Sequence, residues 1–449
     1  MHQFSFKKRM EFQAVIMAAG TGSRMREITS GIPKCLLPVG NIPLIMGSLN
    51  ILKRAGFSEA IVLVRENEKI KIQNAIENKT DLKLDIVAIP KNEDWGTADS
   101  LRFIKDKIKT HVIILSCDLV SDFNLQNMIN THRSQGSSLT VLLVPFPKSL
   151  READMPGYKK KCKFERDIIG LDPNGKLIFI NSEADFEENV PLKMNVLVEN
   201  PHIKVHSNLM DAHVYIVKQD LVSFVVNNEH ISALKGEFLP AAVKKQFSTR
   251  KQNNKNESCD VTLGATLNQD WIDLKKLSFE FSSSKLAASY LKPIVDNEFV
   301  CFSYIDKECF CSRINTLVAY ADINKKISKN LPILAGEQVK SHLYQKSQVD
   351  AESAVGENCE LLLKSSLKQS AIGAYCKLNE RTKLTNCIVM DNVTFGKECT
   401  IQGSIICSNV TIEDGCSLKN CIVGPDQTIQ ASSKLNSEIL QGSDQLMQI

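Results

Sequence analysis

From Val355 onward the chain repeats itself every 17 residues, and few folds can accommodate that period. Large apolar residues recur at steps of six, six and five: Val355, Leu361 and Leu367, then Ile372, Leu378 and Leu384, then Val389, Phe395 and Ile401. The series continues through Ile406, Ile412 and Leu418 to Val423, Ile429 and Leu435. In a chain that is 43% apolar, fifteen such positions would all be apolar by chance with a probability on the order of 10⁻⁶, so the pattern is a structural instruction. The spacing is wrong for a helix. One inward residue every five or six positions fits a triangular prism, a parallel β-helix whose flat sides are short strands and whose corners turn the chain. Gly356, Gly373 and Gly424 follow the first column, where a corner would profit from unusual dihedrals. Each coil buries its apolar residues only against the next, so a single coil could not fold.

The cysteines agree with this reading. Cys359 and Cys376, like Cys399 and Cys416, lie 17 apart, as stacked small apolar residues would. The fourteen cysteines include no C-x-x-C pair, and Cys309 and Cys311 alternate along a strand-like run. Reduced, structural cysteines of this kind imply a cytoplasmic (cytosolic) protein. No stretch approaches the roughly 20 apolar residues needed to span a bilayer, and the N-terminus lacks an apolar signal core. The net charge of +4 over 449 residues argues against a dedicated nucleic-acid binder, and the cluster Lys159, Lys160, Lys161 and Lys163 reads as a solvated loop.

A chain of this length needs more than one core. The expected division is a flexible tail over 1–10, an α/β domain over 11–327 and the β-helix over 341–449. A mobile polar excursion is expected over 244–256, and closing elements over Phe299–Ile305 and a helix from Cys311 to Lys326. In the first domain, Phe12 to Gly20 reads as a buried strand running into the loop Thr21-Gly22-Ser23-Arg24. Gly20 and Gly22 would let backbone N–H groups approach a phosphate, and Arg24 would add charge-assisted bonds. Leu44 to Ala55 has the apolar spacing of a helix, with Ile45, Leu49 and Leu52 on one face and Gly56 ending it. A strand from His111 to Cys117 delivers Asp118 at its C-terminal end, where such an aspartate either caps the next helix or holds a ligand.

The stretch from Ala18 to Leu44, with Gly20, Gly22, Arg24 and Pro33-Lys34, resembles the signature of the sugar-nucleotide pyrophosphorylases. Gly96-Thr97-Ala98 matches that family's segment beside the base. The resemblance implies a Rossmann-like nucleotidyltransferase fold in which the glycine loop holds a nucleoside triphosphate and Arg24 and Lys34 neutralise phosphate. In the active family Asp118 would hold Mg²⁺, with Asp211 the nearest candidate for the second ligand. The departures weigh more. Ser23, Met25 and Glu27 replace the family's Thr, Leu and Pro, and Glu27 would repel a triphosphate. Glu199-Asn200-Pro201 lacks the lysine of the E-K-P motif, His213 replaces the glycine of N-A-G-x-Y, and Asp99 replaces the glycine after G-T-A. Without fixed charge at the reacting phosphate, nucleotidyl transfer loses its main stabilisation. Gly20, Gly22, Arg24, Lys34, Gly96 and Asp118 therefore read as a relic nucleotide site, with no catalytic residue, no cofactor and no metal expected, Asp118 and Asp211 being vestigial ligands.

The repeat resembles the hexapeptide-repeat family, which implies a left-handed winding. Many members are acyltransferases that use a histidine between coils, but the last histidine here is His342, ahead of the repeat. Both domains together, with Gly96 to Arg102, Leu115 to Leu119, Arg166 to Gly170 and the tail Gly442 to Ile449, resemble the gamma-subunit family of eukaryotic translation initiation factor 2B, in which Asp99 and His213 are normal. That resemblance implies a non-catalytic subunit that pairs with an epsilon subunit and joins alpha, beta and delta subunits in a decamer promoting GDP release from initiation factor 2. The chain ends directly after the repeats and its last tryptophan is Trp271, so no exchange activity is expected of it alone. The alternatives are an active mannose-1-phosphate guanylyltransferase or a regulatory subunit of a sugar-nucleotide enzyme.

Overall fold

The computed structural model describes residues 11–77, 79–90, 95–147, 149–150, 155–158, 164–185, 192, 194–247, 299–325, 348–350 and 352–441. The expected tail 1–10, the lysine cluster at 159–163, the bulk of the 244–256 excursion and the expected start of the repeat at 341 lie outside them.

Phe12–Met17 is the fulcrum of the first domain because both of its faces are apolar. Phe12, Ala14 and Ile16 point into one core, and Val15 and Met17 into another on the opposite side of the sheet. Seven strands line up in the order Cys301–Ile305, Leu139–Pro145, Leu209–Val217, His111–Ser116, Phe12–Met17, Glu59–Arg65 and Lys83–Ile89. All pairings are parallel except those of Leu209–Val217, which runs against both neighbours. Helices Met46–Arg54 and Leu125–Ser134 cover one face, and Thr97–Phe103, Gln219–Asn227 and Leu239–Lys245 cover the other. A three-stranded antiparallel sheet, Leu177–Ser182, Asp167–Leu171 and Lys204–His206, extends the second face.

Two sequence expectations change here. Lys244 and Lys245 close the helix Leu239–Lys245, and Gln246 bonds to Leu177 and Cys301, so the expected excursion does not begin at 244. The helix expected from Cys311 starts at Leu317 instead. Cys311–Arg313 is a strand paired antiparallel with Leu119–Ser121, which buries Cys311.

The repeat forms a left-handed parallel β-helix. Two stacks of six strands and one of five pair in parallel, and Val355, Ile372, Val389, Ile406 and Val423 stand in one register column. Leu361, Leu378, Phe395, Ile412 and Ile429 form the second, and Leu367, Leu384, Ile401, Leu418 and Leu435 the third. The corners are not made by the expected glycines. Fifteen corner positions, from Asn358 to Ser437, have φ between +47° and +70°, and thirteen of them are not glycine. Asparagine recurs among them because its side chain tolerates the left-handed region. Gly356 and Gly373 serve close approach of coils: a Cβ on Gly356 would lie 2.5 Å from the carbonyl of Gly373, and one on Gly373 would lie 2.6 Å from the carbonyl carbon of Met390. Gly424 sits more loosely, 3.0 Å from the Leu440 oxygen by the same measure.

The cysteines of the prism have a second use. The thiols of Cys359, Cys376, Cys399 and Cys416 each donate to a carbonyl of the next coil at 3.0–3.2 Å, as the hydroxyl of Thr382 does at 2.9 Å. All twelve described cysteines are free thiols.

One side of the prism is apolar on its outside as well. Ile388, Ile405 and Ile422 point away from the inner columns and pack against Met25, Ile28, Leu37, Leu44 and Tyr320 of the first domain. Gly157 donates its N–H to Asn420 O at 2.7 Å, and Tyr320 donates to Pro38 O at 2.7 Å. The β-helix thus backs the segment that follows the glycine loop.

Candidate functional site

At the C-terminal ends of the central strands a cavity of about 720 Å³ opens between the main sheet and the three-stranded sheet. Open parallel sheets bind ligands at this edge. Of the residues singled out from sequence, Arg24, Asp211 and His213 line the cavity, together with Ser116, Asp167, Tyr215, Lys235 and Arg313. Gly20, Gly22, Lys34, Gly96 and Asp118 stand outside its lining.

The glycine loop is shaped as its sequence suggests at one position. Gly22 has φ +69°, and a Cβ there would meet Thr29 Cγ2 at 2.9 Å, so glycine is required. Gly20 is exposed, with nothing near its absent side chain. Arg24 pairs with Glu165 at 3.1 Å, but both side chains are more than half exposed, and such a pair contributes little. Glu27 does not face the cavity. Its carboxylate accepts the Tyr158 hydroxyl at 2.5 Å, on the side where Cys407 of the β-helix approaches the Glu27 carbonyl. Burial, then that carboxylate, push the Tyr158 phenol up to about 12.

Gly96 opens the helix Thr97–Phe103, but its surroundings are filled: a Cβ would lie 2.3 Å from Ser232 O. Asp99 explains the crowding. It accepts the Gly96 N–H at 3.0 Å and the Ser232 hydroxyl at 2.5 Å, and it pairs with Arg102, which in turn donates to the carbonyls of Val225, Asn228 and Ile231. The residue that breaks the enzyme motif is the cap that closes this loop.

Asp118 is buried with both oxygens engaged. Lys34 Nζ lies 2.5 Å and Arg313 Nη2 3.4 Å from Oδ2, while Ser116 donates its hydroxyl to Oδ1 at 2.7 Å. Burial pushes its carboxyl up, but Lys34 and then Arg313 outweigh that and hold it far below the usual carboxylate range. Asp211, on the neighbouring antiparallel strand, accepts the Tyr215 hydroxyl at 2.5 Å and the His213 N–H at 2.8 Å. His213 sits at φ +54°, the conformation a glycine would supply, at an irregularity in the pairing with Leu139–Pro145. Burial, then Arg313 and Lys235, hold its imidazole well below its usual pKa, so it stays neutral, and its Nε2 has no hydrogen-bond partner among the described residues. Asn200 turns its side chain back onto Val196 O. A cation nonetheless reaches the cavity from elsewhere: Lys235 pairs with buried Asp167 at 2.9 Å.

Arg313 and Lys235 do not stand out in the sequence, and Asp167 and Tyr215 fall in matched segments without being marked as site residues. Arg313 lies two residues beyond the strand-like Cys309 to Cys311 run, and its partner lies 195 residues away, so nothing local marks it.

Two family models match the chain. Residues 13–153 match the nucleotidyl transferase model, and residues 335–441 match the model described as the EIF2B subunit epsilon LbH domain. The fold therefore joins a nucleotidyltransferase-like domain to a left-handed β-helix. It is similar to proteins named translation initiation factor eIF2B subunit gamma. The Caenorhabditis elegans protein of that name is 29% identical over 53% of this chain and 59% of its own length, so the match spans less than two thirds of that relative. Those of Dictyostelium discoideum and Schizosaccharomyces pombe are 27% and 26% identical, over 71% and 72% of this chain and 75% and 67% of their own. Mannose-1-phosphate guanylyltransferase 1 of Arabidopsis thaliana is 26% identical over 29% of this chain and 37% of its own length. No helix among the described residues is long and apolar enough to cross a membrane.

Proposed function

We propose that this chain is a non-catalytic subunit of the cytosolic complex that promotes GDP release and GTP loading on translation initiation factor 2. It pairs in this reading with an epsilon subunit and joins alpha, beta and delta subunits in a decamer. The observation that carries the reading is the likeness to eIF2B gamma subunits over 71% and 72% of the chain. The site supports the non-catalytic half. Asp118 is closed off by two cations, Gly96 is closed off by Asp99 and Ser232, and Asn200 stands where the related enzymes place a lysine. Gly20, Gly22, Arg24, Lys34, Gly96 and Asp118 remain in this reading a relic of the nucleotide site. The isoleucine side of the prism is spent on the first domain, which leaves its other two sides for assembly.

Affinity purification of the tagged chain from native cytosol should recover an epsilon-like partner. The purified chain alone should leave the rate of GDP release from initiation factor 2 unchanged. Absence of the partner would sink the assignment, as would pyrophosphate release at enzymatic rates from GTP, mannose 1-phosphate and Mg²⁺, which favours the guanylyltransferase reading.

A further inference from the structure

The nucleotidyltransferase fold implies a divalent ion between Asp118 and Asp211, and the donor set does not fit one. A Mg²⁺ or Mn²⁺ ion needs carboxylate oxygens open to it at about 2.0–2.2 Å, in near-octahedral company. Here Asp118 gives Oδ2 to Lys34 and Arg313 and Oδ1 to Ser116. Asp211 gives Oδ2 to Tyr215 and Oδ1 to the His213 backbone. Among the described residues no group of three or more His, Cys, Asp or Glu side chains is arranged to hold a metal ion.

Arg313 is fixed in this position by the backbone rather than lent to it by a flexible loop. Its strand pairs residue for residue with Leu119–Ser121, Arg313 opposite Leu119, and the next N–H, that of Ile314, donates to the carbonyl of Asp118 itself at 2.9 Å. The guanidinium is therefore delivered to Asp118 by the same chain crossing that closes the domain. Its side chain is only 13% exposed, as is that of Lys34. Withdrawing either to admit an ion would leave a buried cation without its counter-charge. The ion pairs are complete without a metal: Asp118 pairs with Lys34 and Arg313 and Asp167 with Lys235, while burial pushes the Asp211 carboxyl up. Arg313 lines the cavity, and its Nε has no hydrogen-bond partner among the described residues.

We infer that Arg313, with Lys34, is a built-in replacement for the divalent ion, so that Asp118 and Asp211 take up no metal and an anion entering the cavity meets a fixed guanidinium instead. This inference concerns the pocket alone and stands apart from which complex the chain joins.

The test is Mn²⁺ binding to the full-length protein, followed by the paramagnetic resonance signal of the free ion. The wild type should show no stoichiometric site at millimolar Mn²⁺. Arg313→Met, checked for folding by circular dichroism, should gain one stoichiometric site with a Kd at least tenfold below millimolar, and Asp118→Asn added to it should remove that site. Arg313→Lys, which keeps a cation on the same strand, should behave as the wild type. A stoichiometric Mn²⁺ in the wild type that Asp118→Asn abolishes would overturn the inference, whatever the variants do. A folded Arg313→Met protein that gains no site would overturn it as well. Both readouts are of cation affinity, so they leave the partner test above undisturbed.

Discussion

The β-helix and the cavity are built by opposite strategies from the same alphabet. In the prism each structural task is performed five times over: five residues per inner column, five per corner column, and a thiol or hydroxyl capping a neighbouring carbonyl coil after coil. Around the cavity each task is performed once, by Arg313 on Asp118, Asp99 on Gly96 or Tyr215 on Asp211. Redundancy makes the first region readable from its sequence. Single-copy contacts make the second region specific and opaque.

Phe395→Ala tests how much tolerance redundancy confers. Phe395 is fully buried at the middle of its column, and truncation should cost about 3–5 kcal/mol, measured by urea unfolding. A loss under about 1 kcal/mol would mean that the neighbouring coils collapse onto the gap.

The first domain has its own sensitive point in His132, buried beside Phe12 with Nδ1 2.8 Å from Thr140 Oγ1 and Nε2 without a partner among the described residues. Burial, then the charges of Lys218 and His111, push its pKa down to about 4. Between that value and the ordinary one the unfolded chain holds a proton that the native state refuses. Stability is therefore complete above about pH 6.5 and falls as the pH drops toward 4, by roughly 2–3 kcal/mol from this group. Unfolding free energies at pH 7 and pH 4.5 should differ less in His132→Asn than in the wild type by that amount. Equal differences would show that the imidazole titrates normally.

A glycine pair sharpens the contrast at the smallest scale. Gly373→Ala drives a Cβ into the Met390 backbone and should cost about 1–3 kcal/mol. Gly20→Ala meets nothing within 4 Å and should change stability by less than about 0.5 kcal/mol, read by the same unfolding curves.

The same contrast explains what could be read from the chain alone. Phe395 needed no partner to be recognised, because Leu378 and Ile412 repeat its environment at a fixed distance. The corners escape a reading based on glycine, the usual mark of positive φ, because here Asn392, Asn409 and Asp426 hold that conformation and link side chain to side chain from coil to coil. His213 was legible as a departure from a glycine motif, and its φ of +54° gives the physical content of that departure. Arg313 was not legible, since no local pattern relates Cys311–Arg313 to a carboxylate two hundred positions earlier in the fold's assembly, a separation of 195 residues.

The outward isoleucines Ile388, Ile405 and Ile422 have a mechanical consequence. Packed interiors are stiff, and this row is shared between the prism and the segment from Met25 to Leu44. The solenoid is thus a splint bound along the spine of the signature loop. A load placed on its coils is borne by the backbone that also carries Lys34 to Asp118.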